Sequence, residues 1–184
     1  EYLLDHVADA ARIPGPKFVL FHLAIPHPPF VFGPDGEDVS PRNKPFSHRH
    51  NAGPLPYGEV NQDFINKYRD QVTYTCKRLL QAVDTILEIE PHPPVILLQG
   101  DHGPMANRGK YAETYFPGER FPIFSAYLLP PPPEDENSTD SATTQSQIAN
   151  RKSKIDPYPS ITPVNSFRLI FNRYFGDDYP LLPD

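Results

Sequence analysis

Two continuous apolar runs on either side of a long helical pattern constrain this chain most. Lys17–Ile25, "KFVLFHLAI", is β-branched and aromatic and predicts a buried strand. Val95–Leu98 predicts a second. Between them, Glu59–Glu90 carries Phe64, Tyr68, Val72, Leu79, Val83, Ile86 and Leu87 as an apolar stripe at helical spacing, with Asn61 as its expected N-cap. Strands that are apolar throughout need cover on both faces, and a helical crossover joins parallel neighbours. The expected class is therefore α/β, a mostly parallel sheet sandwiched by helices. Phe121–Leu129, "FPIFSAYLL", predicts a third strand. Leu3, Leu4, Val7, Ala8 and Ala11 predict a short first helix that Pro14-Gly15-Pro16 ends. Thr162-Pro163 reads as a cap and first helical position, opening a last helix over Val164–Phe175 that Gly176 closes.

A length of 184 residues suits one domain or a large piece of one. Hydrophobic residues make up 38% and charged residues 22%, enough apolar material for a core. The net charge of −6, with no Lys/Arg-rich run, argues against nucleic acid or anionic lipid as partners. An anionic substrate would then be met by local positive groups or by a metal. There are 25 prolines, which call for long loops. One lies over 31–58, and 130–159 is expected to be a mobile Pro-rich and polar loop. The one cysteine, Cys76, excludes an internal disulfide framework and reads as a small apolar residue, buried or half-buried. No apolar run approaches the roughly 18–20 residues that span a bilayer. The longest, Phe18–Pro29, is interrupted by His22, Pro26 and His27. The start at Glu1 suggests a fragment, so membrane association would come through segments outside this chain.

Chemistry concentrates where the second strand ends, in Val95–Pro104, "VILLQGDHGP". Ligands of parallel α/β sheets bind at the carboxyl ends of strands. The first strand ends near His27 and the second on Asp101 and His102. A carboxylate beside an imidazole is a good pair for a divalent ion such as zinc or manganese. Gly100 and Gly103 are expected to let the backbone turn sharply there. The competing reading keeps Asp101-His102 as a turn cap, His27 as a loop histidine and His48, His50 and His92 as solvated residues.

Order sharpens the choice. "FVLFHLAIPHPPF", "YRDQVTYTCKRLLQAVDTIL", "VILLQGDHGP", "RFPIFSAYL" and "ITPVNSFRLIFNRYFG" follow one another. Together they resemble the C-terminal part of the sulfatase domain in the alkaline-phosphatase-like superfamily. The nearest flavour is that of lipoteichoic acid synthases and phosphoethanolamine transferases. The resemblance covers residues 17–128 and 160–176. It implies a large α/β sandwich that cleaves or transfers phosphate or sulfate esters with one or two divalent ions, which could be zinc, manganese, magnesium or calcium. By motif, Asp101 and His102 would ligate metal. His27 would face the substrate's anionic group or a second metal. Lys110 would bind the ester oxyanion, although it reads equally as a surface lysine. The resemblance also implies a membrane-anchored protein with an extracytoplasmic catalytic domain.

The departures are specific. The family's nucleophile and a further acidic ligand belong to the N-terminal half of the domain, and nothing here matches that half. The expectation is that residues 1–184 form the C-terminal part of one catalytic domain, inactive alone. "PMANRGKYAETYFPGER" lacks the further histidine of phosphoethanolamine transferases, which counts against a two-metal site. A non-catalytic anion-binding or interaction domain of the same fold is the alternative.

Overall fold

The computed structural model describes residues 2–40, 62–104, 118, 121–131 and 156–183. They divide into two compact units. One comprises Glu1–Pro94 with His102–Ile123, the other Val95–Asp101 with Phe124–Asp184.

In the first unit, helix α1 (Tyr2–His6) runs into a 3₁₀ segment, Val7–Arg12, and the long helix α2 spans Gln62–Ile89. Over its 28 residues α2 contains neither Gly nor Pro, and it ends just before Pro91. An Asp63–Lys67 pair at 2.7 Å and a Gln62–Asn66 bond at 3.0 Å support its exposed first turns. The expected Asn61 cap lies outside the described residues. The buried face of α2 is Phe64, Gln71, Tyr74, Thr75 and Ala82, rotated from the apolar stripe read in the sequence, whose Leu87 is exposed. Leu4 and Ala8 are buried, and both N-terminal segments pack on α2. Phe30 meets Phe64 edge-on, with ring centroids 5.0 Å apart, and Ile65 and Tyr68 close around the pair. Burying Phe30 contributes about 1.5–3 kcal/mol.

The segment expected to be a buried strand, Lys17–Ile25, forms no strand among the described residues, and Phe18 and Leu20 are about four-fifths exposed. Extended backbone becomes a strand only when a neighbour takes up its N–H and C=O groups, and β propensity largely reports that neighbour's packing.

The second unit holds a two-stranded sheet. Strand β1 (Ile96–Gln99) pairs antiparallel with β2 (Ser125–Leu128), Ile96 opposite Leu128 and Gln99 opposite Ser125. The mostly parallel sheet thus has no counterpart among the described strands. β1 is half-buried rather than buried, and the expected third strand narrows to β2. Helix α3 (Pro163–Tyr174) begins as its sequence implies, with Thr162 extended and Pro163 in the first turn. Thr162 nevertheless makes no side-chain capping bond. Gly176, at φ +73°, follows the C-terminal end. Leu169 is fully buried and Ile170 nearly so.

Candidate functional site at the end of β1

Asp101 and His102 follow β1 in the chain. The ladder runs one residue past the strand, where Gly100 N–H donates to Phe124 O at 2.9 Å. Asp101 bends away, and both Asp101 and His102 are solvent-exposed while Gly103 is buried. The turn does not depend on glycine at position 100. Its φ is not positive, and an added Cβ would meet only the Phe124 backbone, at 3.8 Å.

His102 Nδ1 lies 2.9 Å from Gly103 O. A carbonyl can only accept, so Nδ1 is the donor in this contact. Metal-ligating histidines are usually held in this way, one ring nitrogen donating to a carbonyl. His27 repeats the arrangement, with Nδ1 2.6 Å from Pro28 O.

His27 sits in a turn closed by its own N–H to Ala24 O at 2.9 Å. The flanking Ile25–Pro26 and Pro28–Pro29 bonds are cis. What fixes this turn is Gln71, which has no exposed surface. Its Nε2 donates to His27 O at 3.3 Å, and its Oε1 accepts from Val31 N at 2.9 Å and Phe32 N at 3.3 Å. One buried amide from α2 therefore satisfies three backbone groups of the turn, as buried polar groups must be satisfied. Sequence reading passed Gln71 over because it is polar. The available signal was its spacing of seven from Phe64, which puts it in phase with the buried face. Beyond it, Gly36 adopts φ +89° against the Tyr74 ring, where a Cβ would come within 2.6 Å.

Asp101 belongs to the second unit, whereas His27 and His102 belong to the first, the division falling between Asp101 and His102. Among the described residues, no group of three or more His, Cys, Asp or Glu side chains could hold a metal ion. Asp101 and His102 fit a metal by donor type, one oxygen and one nitrogen, but are fewer than the three or four protein ligands usual for zinc. Lys110 lies outside the described residues, as do His48, His50 and residues 132–155 of the segment expected to be a loop over 130–159. His92 is exposed, as expected. Cys76 is exposed, which corrects its reading as a buried or half-buried residue. Ser125 lies inside β2, and its buried Oγ has no hydrogen-bond partner.

A charge pair in the first unit lies elsewhere. Arg78 on α2 donates to Asp5 of α1 and, at 3.2 Å, to Tyr74 Oη. The hydrogen bond from Arg78 is the main cause holding the Asp5 carboxyl below the usual range. The same bond, seconded by Tyr74, raises the Arg78 pKa. This pair ties the N-terminal helix to α2 and does not involve Asp101 or His102.

Comparison with family models, with curated proteins and with solved structures found no match.

Proposed function

We propose that this chain is the C-terminal part of a metal-dependent hydrolase or transferase acting on phosphate or sulfate esters. Its fold would be an alkaline-phosphatase-like α/β sandwich. The observation that carries the reading is the exposed Asp101-His102 pair at the end of β1, with His102 Nδ1 tied to Gly103 O. In this reading Asp101 and His102 are two ligands of a divalent ion, and the remaining ligands come from elsewhere in the protein. A bound divalent ion would polarise the ester oxygen and lower the pKa of the nucleophile. His27, held by Gln71, would face the anionic group, joined by Lys110. Among the described residues no helix is long and apolar enough to cross a membrane. Membrane anchoring would use segments other than these.

A second reading is a non-catalytic anion-binding or interaction domain of the same fold. It is favoured by the lack of any histidine from Pro104 to Arg120. Metal analysis of the protein that carries this chain separates the two, combined with assays on aryl phosphates, phosphodiesters and aryl sulfates. The enzyme reading expects bound divalent metal and turnover of one ester class. Bound anion without turnover of any would select the second reading, and neither metal nor anion would remove both.

A further inference from the structure

Ser166 of α3 has no exposed surface, and its hydroxyl joins both strands of the ladder. It donates to Gln99 Oε1 at 2.8 Å and stands 2.7 Å from Tyr127 Oη. A serine hydroxyl has one proton to give. With that proton on the Gln99 carbonyl, Tyr127 donates to Ser166, and the chain runs from Tyr127 through Ser166 to Gln99. Such chains polarise each member, so the amide N–H groups of Gln99 become better donors.

Gln99 is exposed, where a glutamine ordinarily samples many rotamers. Here its carbonyl is anchored on a buried hydroxyl, which leaves the Nε2 hydrogens on the opposite side of the amide. Gln99 ends β1 and stands two residues before Asp101, with the ladder continuing through Gly100. The end of β1 therefore offers two neutral amide N–H donors two residues before Asp101 in the chain. Donors without a charge can meet an anion without repelling a cation at Asp101.

We infer that Gln99 is a substrate-binding residue, donating through Nε2 to a non-bridging oxygen of the phosphate or sulfate group. Ser166, held by Tyr127, positions it. This rests on the ester reading for the identity of the anion, but not on metal ligation by Asp101.

The test uses the 184-residue chain titrated calorimetrically with inorganic phosphate and, separately, sulfate, each with and without Mn²⁺. Gln99→Glu keeps an acceptor for Ser166 but loses both donors and adds a negative charge. It should weaken binding of the preferred anion about tenfold or more, the scale of a lost hydrogen bond to a charged group. Ser166→Ala tests positioning. The Gln99 side-chain ¹⁵N resonances should shift on anion addition in the parent. They should sit near unstructured values and respond weakly in Ser166→Ala. The inference is overturned if the parent binds neither anion under either condition, or if Gln99→Glu binds within about twofold of the parent. Mn²⁺ binding in Asp101→Asn is read separately. If it is unchanged, the metal reading falls while Gln99-dependent anion binding still stands.

Discussion

Asn165 and Leu182 exchange two hydrogen bonds as neighbouring strands would. Asn165 Nδ2 donates to Leu182 O at 2.9 Å, and Leu182 N–H donates to Asn165 Oδ1 at 2.8 Å. Two helical turns along, Asn172 does the same with Tyr179, at 2.9 and 2.7 Å. Side-chain amides carry one acceptor and two donors, so an asparagine can stand in for a backbone peptide. The segment after α3 is thus held on the helix by Asn165 and Asn172, together with Arg168 donating to Pro180 O at 3.1 Å and the Phe171 ring against Tyr179.

Asn165→Ala should remove both bonds and leave a buried site unsatisfied, at a cost of about 1–3 kcal/mol. Asn172→Ala, at a slightly more exposed position, should cost less. Amide hydrogen exchange resolves the effect. Exchange at Leu182 should quicken in the first variant and at Tyr179 in the second, with α2 amides unchanged. Equal acceleration throughout the chain would mean that Asn165 supports the whole fold rather than this segment.

Gln71→Ala should release the turn that carries His27. Three backbone groups lose their partner, so a loss of about 2–3 kcal/mol is expected. The local signature is a change in the His27 and Val31 resonances. Gln71→Glu keeps the acceptor for Val31 and Phe32, loses the donor to His27 O and buries a charge, so it should not rescue. Full stability in Gln71→Ala would show that water replaces the amide.

The sequence and the structure agree where packing is local. α2 and α3 were legible because a period of 3.6 with a proline or glycine at the ends needs no distant partner to be read. The strand expected at Lys17–Ile25 was not, because its apolar residues say only that something could cover them. After β1, Asp101 and His102 were legible as a polar break after an apolar run. Gln71 carried only its spacing of seven from Phe64 as a mark, and nothing in the patterns around Gln99 and Ser166 pairs the two. Their roles depend on contacts between positions as distant as Gln99 and Ser166.

The Asp5–Arg78 pair sets a pH dependence. A carboxylate whose folded pKa is lowered contributes stability that is present above its unfolded value, near 3.8, and lost as pH falls through the folded value. The contribution is small, since Asp5 is open to solvent. NMR titration of the Asp5 carboxyl should give a midpoint below 3.8 in the parent. In Arg78→Met the midpoint should move back up toward 3.8. An Asp5 midpoint unmoved by that substitution would assign the shift to something other than Arg78.

Asp101→Ala and His102→Ala should each lower metal affinity of the protein that carries this chain by more than about a hundredfold, beyond what losing a supporting residue costs. Both residues are exposed and outside any core cluster, so thermal unfolding should move little. Elemental analysis after dialysis gives the readout. Unchanged metal in both variants would take them off the ligand set.

The 184-residue chain on its own should cleave neither phosphate nor sulfate esters. A serine or threonine nucleophile needs an accessible oxygen and a base within reach. Ser125 Oγ is buried in β2 and partnerless. Ser166 is committed to Gln99, and Thr73, Thr75 and Thr85 each donate to a carbonyl one turn back in α2. Asp101 and His102 supply two donors where a catalytic zinc site has three from protein. Charge stabilisation without a nucleophile leaves only slow attack by water. Release of nitrophenol from aryl phosphate, phosphodiester and aryl sulfate, measured with added zinc or manganese, should stay at the level of the metal alone. Metal-dependent cleavage that disappears in Asp101→Ala would place a working nucleophile within these residues and make the chain a complete catalyst.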